Sequence, residues 1–453
     1  MAFSQDSVLF DTVFTTIGSS TRNIRVRNRN SQSIKISNIS LQKGTSSQFI
    51  INVDGAKGTS FNDIEIAAKD SMYIFIQVNV NPTNQNSPLI INDAIIFSTN
   101  GNTQQVVLEA WGQDAYYHHP NNALMFADGT YLPYSLISNN PNVDTVWNND
   151  KPHVIYGWLV VDSAQKLTIN AGVKLYFNNN AGLWVYRYGT LKVHGALGNE
   201  VLFTGARREP EYADAPGQWD RIWINEGSPN NEIDYAIIKN GFVGIQAELL
   251  GTTFSDPRRV RVTNTIIQNM SKWGIYGSIF NIYGGNNVVS NCQEYCVNIA
   301  LGGNYTFIHC TFANYWSQEK PRTLPTLNIN NYSTAQVLPL DTCYFGNCII
   351  DGTLSSEISI DVHSDMTYPP MYFFSSCVLK TTMSTSDVTK FDSNKINVPC
   401  DFVDTKNYNF DIGANTQAGP LTGTNTAADV AKFPIDIKAF TRTSPFYAGA
   451  YKH

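Results

Sequence analysis

Charge is scarce in this chain: Lys, Arg, Asp and Glu make up 15% of its 453 residues, against about 25% in ordinary soluble domains. The formal charge is −6, so no basic stripe is expected to neutralise phosphates; nucleic acid is not an expected partner, and polyanion binding is disfavoured too unless a local patch overrides the net charge. Cysteine is sparse and late. Seven occur, none before Cys292, which is too few for a disulfide framework, and no pair has zinc-ribbon spacing. Cys292 and Cys296 could reach each other, although buried thiols are the expectation. No apolar run reaches 18 residues, which removes a membrane-spanning helix. The chain opens Met-Ala-Phe-Ser without a charged and apolar leader, so an exported protein of this kind is expected to have had its leader trimmed. A nucleophile elbow and a phosphate loop are also missing.

Asn, Thr, Ser, Gly and aromatic side chains fill the space that charge leaves, with aromatics at 12%. That balance suits strands, turns and wet surfaces. From Val8 to Ala115 seven β-branched runs alternate with turn signals: VLFDTVF, NIRVRN, SIKISNISL, FIINVDG, SMYIFIQVNV, AIIFSTNG and QVVLEAWG. Seven strands in that length predict an immunoglobulin-like β-sandwich over 1–115. In SMYIFIQVNV, Met72, Ile74, Ile76 and Val78 can face the core while Tyr73, Phe75 and Gln77 face away. The sandwich carries no titratable cluster and reads as a structural or spacer module.

Further along, one frame recurs: DYAIIKN at Asp234, TNTIIQN at Thr263, GNNVVSN at Gly285, IHCTFAN at Ile308, GNCIIDG at Gly346 and SSCVLKT at Ser375. The spacings are 29, 22, 23, 38 and 29 residues, within the period of a solenoid whose longer coils carry insertions. The third position holds Ala236, Thr265, Asn287, Cys310, Cys348 and Cys377, small residues that can stack inside a narrow coil. The closing Asn240, Asn269, Asn291 and Asn314 suit left-handed turns. The fold class is therefore all-β, a sandwich followed by a right-handed parallel β-helix over 155–400. Residues 116–154 are expected as linker and cap, and 401–453 as closing coils and cap.

Several stretches resemble one family, the β-helix lipoproteins of the Bacteroidota outer surface. They are FDTVFTTIGSSTRNIRVRN from Phe10, NDKPHVIYGWLVVDSAQKLTINAGVKLYF from Asn149, GLWVYRYGTLKVHG from Gly182, FTGARREPEYADAPGQWDRIWI from Phe203 and the closing GAY from Gly449. The resemblance implies export, a lipid anchor on a cysteine upstream of Met1, and display on the outer membrane. It implies no assigned chemistry.

The densest polar stretch runs through Arg207, Arg208, Glu209, Glu211, Asp214, Asp220 and Arg221. Of these, Glu209, Glu211, Asp214, Asp220 and Arg221 are weak candidates for acid and base work, or for calcium on oxygen ligands, in uronate elimination. The competing reading is an insertion loop whose charges pair with one another. Alternation places Trp184, Tyr186 and Tyr188 on one face, and Trp219, Arg221 and Trp223 on one face of a neighbouring run. Rows of aromatics with a guanidinium form a platform for sugar rings or a partner's surface; the alternative is that the linker, loop or sandwich covers them. Among the histidines, His118 and His119 sit in the expected linker, and His309 shares a frame position with Tyr235, Asn264 and Asn347. A metal at Asp361, His363 and Asp365 would need alternate residues on one face. The motif sets of polygalacturonases, pectin esterases and pectate-lyase-like helices are not found. The expectation is a non-catalytic binding or scaffold protein for a glycan or an outer-membrane protein, without a cofactor. The alternative is a polysaccharide lyase or hydrolase, with calcium in the lyase case, and a passive stalk is a third.

Overall fold

The computed structural model describes residues 1–15, 18–82, 89–252, 255–318, 320–363 and 369–452. It is all-β, with 51% strand and 4% helix. Two compact units divide the chain, Met1–Tyr116 with Arg208–Pro210, and Tyr117–Arg207 with Glu211–His453.

In the first unit ten strands run β1 (Ala2–Phe3), β2 (Ser7–Phe14), β3 (Arg22–Arg27), β4 (Ile34–Leu41), β5 (Phe49–Val53), β6 (Ala56–Gly58), β7 (Ser60–Ile66), β8 (Ser71–Val78), β9 (Leu89–Thr99) and β10 (Asn102–Gln113). They form two five-stranded sheets, ordered β1-β3-β8-β5-β6 and β2-β10-β9-β4-β7. The β9–β10 hairpin turns on Asn100 and Gly101, both at positive φ, the pairing that a two-residue hairpin of matching twist requires. One core takes inward residues of both sheets, among them Ile24, Phe49, Ile74, Ile76, Phe97 and Leu108. The sequence reading missed β1, β6 and β7. In β7 the run SFNDIEI buries only Ile66, and its polar, exposed positions erase the alternation that marks a strand.

The second unit is built from large parallel sheets. In one, strands from His153–Ile155 to Lys395–Ile396 stack in chain order. The other has eighteen strands in two rows, joined where Trp273–Gly285 and Val297–Ile308 bend from one row to the next. The chain thus returns to each sheet once per coil, as in a solenoid. Inward positions stack like on like: Leu159, Leu183, Ile222, Ile245, Ile275 and Val297 are in register on six successive coils and fully or almost fully buried.

The recurring frame lies on the chain-ordered sheet, and its chemistry goes further than packing. Its second residue is left-handed at Tyr235, Asn264, Asn286, His309, Asn347 and Ser376. The third side chain accepts the backbone N–H of the third residue one coil earlier: Ala236 N to Thr265 Oγ1 (3.4 Å), Thr265 N to Asn287 Oδ1 (3.1 Å), Cys310 N to Cys348 Sγ and Cys348 N to Cys377 Sγ (both 3.4 Å). Small residues stand there, and most of them offer an acceptor for an N–H that is buried at the corner. All seven cysteines are free and buried. Of the closing asparagines, Asn240, Asn269 and Asn291 are left-handed. Asn314 is not; it lies in a strand, and its amide donates to Cys292 O (2.9 Å) and Glu294 O (3.1 Å).

Two expectations about the ends need correction. The Asn- and Pro-rich stretch before Val154 is more than linker: Tyr131–Leu136 pairs in parallel with Trp158–Val161, and Asp144–Trp147 with Lys166–Asn170. The segment after Cys400 does more than close the last coil: it bonds that coil at Asp392 and Lys395 and runs back along the outside of the stack. Asn269 donates to Tyr408 (3.2 Å), Asn286 to Ile435 O (2.7 Å), Ala450 to Thr311 (3.0 Å) and Gly449 to Asn347 O (2.8 Å). Frame residues Val288, Ile349 and Val378, which point outward, bury under Phe410, Ile412, Leu421 and Ile437 of this strap. A Cβ on Gly285 would lie 1.8 Å from the Phe433 ring, so glycine is required where the strap crosses closest.

His118 is likewise no loop residue. Its Nε2 lies 2.9 Å from His153 Nδ1, and Trp147 stacks on His153 with ring centres 3.7 Å apart. Burial, with neighbouring His119, lowers the His118 pKa to about 4, and burial with His118 lowers that of His153 to about 3. Both imidazoles are therefore neutral in the fold, whereas the unfolded chain takes up protons below about pH 6.5. Their contribution to stability is complete above that pH and is lost as pH falls toward 4 and then 3. The urea midpoint is expected to drop between about pH 7 and pH 4, and more steeply than in a His118→Gln/His153→Phe variant. Equal slopes for the two proteins would refute it.

Candidate functional site

The candidate face is the outside of the row that begins at Tyr131–Leu136. Because parallel register repeats each position from coil to coil, one outward column reads Leu136, Val160, Trp184, Trp223, Gln246, Tyr276 and Asn298. Trp184 and Trp223 stack with centres 4.7 Å apart and planes at 12°. Trp158 meets both edge-on, at 6.4 and 5.9 Å, in space that Gly182 leaves open, where a Cβ would come within 2.7 Å of the indole. Tyr186 lies edge-on to Trp184 at 5.2 Å. Trp158 and Trp184 are only 5% and 7% exposed, so they form the base of the platform and Trp223, half-buried, its accessible part.

Polar groups continue the platform. Trp184 Nε1 donates to Asn225 Oδ1 and Trp223 Nε1 to Glu248 Oε1, both at 2.7 Å. Gln246 donates to the same Glu248 oxygen at 2.7 Å and accepts from Arg221 Nη1. The Arg221 guanidinium, also bonded to Asp220, lies 5.5 Å from the centre of the exposed Phe242 ring. Lys272 approaches Phe242 at 5.4 Å and Trp273 at 4.1 Å, and Trp273 stacks on Tyr276 at 4.6 Å. Burial raises the Tyr276 pKa above the ordinary phenol value, although a hydrogen bond with Ser278 opposes this. The phenol therefore stays protonated. An Arg–Gln–Glu chain is thus bounded by ring faces on both sides, an arrangement that offers apolar area and directed donors to one amphipathic ligand.

Not all residues read from the sequence share this face. Trp219 is a correction: it is 1% exposed inside the coil, stacked on Phe177 at 4.5 Å, with its Nε1 donating to Lys239 O at 2.8 Å. The strand begins at Ile222, so the alternation assumed back to Trp219 does not exist there. Tyr188 also leaves the face. It sits after the strand at φ 65°, exposed, with its hydroxyl on Asp256 (2.9 Å), while Arg187 pairs with the fully buried Glu226. Trp158, Gln246, Glu248, Tyr276 and Trp273 were missed, though GWLVVD, VGIQAE and WGIYG carry the same alternation as GLWV.

The acidic candidates occupy separate surroundings. Glu209 falls with the first unit and the others with the second. Glu211 lies in the 3-10 turn Pro210–Tyr212. Asp214 is 3.7 Å from Lys239, and Lys239 and Asn240 both donate to Ala213 O. Asp220 is bound to Arg221. Among the described residues no three His, Cys, Asp or Glu side chains are grouped as metal ligands. Of Asp361, His363 and Asp365, the last lies outside the described residues, and Asp361 accepts from Tyr332 at 3.0 Å.

No family model and no curated protein matches the sequence. Solved structures with some similarity include a family 123 glycoside hydrolase from Clostridium perfringens (11% identity, TM-score 0.18, 25% of this chain and 26% of that one). Another is the E. coli chaperone DraB (6%, 0.18, 29% and 79%). A third is the catalytic unit of a thermostable GH87 α-1,3-glucanase from Streptomyces thermodiastaticus (11%, 0.28, 79% and 66%). The chain thus spans about a quarter of the first of these proteins. TM-scores this low carry no argument about fold or function.

Proposed function

We propose that this chain is a non-catalytic binding protein displayed on an outer membrane: an immunoglobulin-like sandwich followed by a right-handed parallel β-helix. Its early coils would hold a glycan or an outer-membrane protein. Surface display rests on the family resemblance. The binding reading is supported by one observation above the others, the half-buried Trp223 face backed by Trp184 and Trp158 and continued by Arg221, Gln246 and Glu248. A rigid stacked ring needs no ordering on contact, so little side-chain entropy opposes binding. The lyase or hydrolase alternative is less favoured because Asp214 and Asp220 each have their own cationic neighbour, whereas acid and base work needs groups converging on one substrate.

The test is to pull down partners from native outer membranes, with a glycan array in parallel, using the full chain and Trp223→Ala. Loss of a buried aromatic anchor is expected to weaken binding by about 2 kcal/mol, roughly thirtyfold. A folded Trp223→Ala protein that retains every partner and glycan of the parent would remove this face as the site.

A further inference from the structure

We propose that the outer face of the β1-β3-β8-β5-β6 sheet in the first unit binds an anionic oligosaccharide, stacking it on Tyr73 and Phe75 and pairing its acid groups with a neighbouring cluster of cations. This goes beyond the proposed function and shares no residue with the face around Trp223.

In β8 the core claims Ile74 and Ile76, and alternation leaves Tyr73 and Phe75 outside, 49% and 45% exposed. Their rings stack at 27° with centres 6.4 Å apart, forming a ridge of two ring faces on a rigid strand. Register sets Arg25 opposite Tyr73, and Asn23 and Asn52 on either side of Phe75. The Arg25 guanidinium lies 5.7 Å from the Tyr73 ring centre, held by its Nε donating to Ser71 Oγ at 2.7 Å. A hollow of about 540 Å³ is lined by Arg25, Arg27, Arg29, Lys69, Asp70 and Ser71. A second, of about 290 Å³, is lined by residues that include Thr21, Asn52, Lys57, Phe75 and Gln77.

The charges decide what kind of ligand fits. Elsewhere in this unit Arg22 pairs with Asp11 at 3.5 Å and Lys35 with Asp63 at 2.9 Å, while Lys43 donates to Asn92. Among the described residues, Arg25, Arg27, Arg29, Lys57 and Lys69 form no ion pair. Asp70 lines the first hollow with these cations, Glu65 shares a further hollow with Asp70, and Asp54 follows Val53 at the end of β5. Five unneutralised cations on one face of a chain whose net charge is −6 complement carboxylates or sulfates. Guanidinium groups bind such anions in bidentate fashion. The two aromatic faces suit the apolar side of sugar rings, and the amides of Asn52 and Gln77 suit hydroxyls. A polynucleotide carries about the same charge per residue as these acids, so the oligonucleotide arm of the experiment, and not the charge count, separates the two.

The experiment titrates the full chain with hexamers of galacturonate, of alginate and of chondroitin sulfate. A neutral maltohexaose and a thymidine oligonucleotide serve as comparisons, each measured at low and at physiological salt. At least one acidic hexamer is expected to bind, more weakly as salt rises. Tyr73→Ala/Phe75→Ala and Arg25→Gln/Arg27→Gln should each weaken it about tenfold or more, with the arginine pair also flattening the salt dependence. Trp223→Ala should leave it unchanged, which separates this surface from the other. All four substituted positions are outside the core, and an unchanged melting temperature verifies that the variants fold. Binding of no acidic hexamer, equal binding of maltohexaose, tighter binding of the oligonucleotide, or loss of binding in Trp223→Ala alone would overturn the proposal.

Discussion

Trp219→Ala is expected to lower stability by about 3–5 kcal/mol, the range for truncating a large aromatic in a close-packed core. The indole is almost fully buried, stacks on Phe177, and has its N–H satisfied by Lys239 O. Gly241 sits against it, since a Cβ there would lie 3.0 Å from the ring, so the residue that faces the indole from the neighbouring coil has no side chain of its own to fill the cavity. Trp219→Phe keeps a ring for Phe177 but leaves the carbonyl unpaired, and about 1–3 kcal/mol is expected. Urea denaturation of the two variants beside Trp223→Ala gives the comparison. A Trp219→Ala cost below that of Trp223→Ala would mean that the indole is not part of the core.

The other large effect is expected at Glu357. Its carboxylate is fully buried and saturated: Arg322 Nη1 and Nη2 donate at 2.7 and 2.6 Å, Thr326 N and Oγ1 at 3.0 and 2.8 Å, and Leu354 N at 2.6 Å. Both side chains are almost wholly out of water, 2% exposed for Arg322 and 0% for Glu357. Glu357→Ala leaves a guanidinium buried without its counter-charge, which costs about 3–5 kcal/mol. The double variant Arg322→Leu/Glu357→Ala removes the stranded charge and is expected to recover a substantial part of that loss. The double-mutant cycle by chemical denaturation reads this directly. A double variant no more stable than Glu357→Ala would show that the lost packing, and not the unpaired charge, dominates. Arg322 also donates to Asn314 O and Leu324 O, so Glu357→Ala should also speed limited proteolysis between Asn314 and Thr326.

The sequence carried the repeating frame because side-chain pattern follows coil geometry wherever a coil is regular. It hid the left-handed second position because Tyr235, His309 and Ser376 hold that conformation beside the asparagines; the coil imposes the corner, and residue type follows only loosely. The third position was legible as small, yet its role as acceptor needed the register between coils to be known. Trp184 and Trp223 stand in one column because both lie within strands; alternation gave the face of each run, and their adjacency depended on the coils stacking. Trp219 was misplaced because alternation has meaning only inside a strand, and the strand starts three residues later. The strap was invisible for a different reason: its partners are distant in sequence, 139 residues for Ala450 and Thr311 and 149 for Asn286 and Ile435. Only the glycines at Gly285 and Gly346 hinted that something passes close over the frame.

That strap has a consequence for the order in which the protein is made. Coils can dock one on the next as the chain emerges, since each needs only its neighbour. The strap grips coils from Asn269 to Ser376 at once, so it has no complete binding surface until all of them are in place, and it follows all of them along the chain. Up to that moment the outward aliphatic column through Val288, Ile349 and Val378 is open to water and to other chains. Residues 401–452 therefore act as a seal: a chain without them in place exposes a sticky apolar stripe, and a chain with them docked does not.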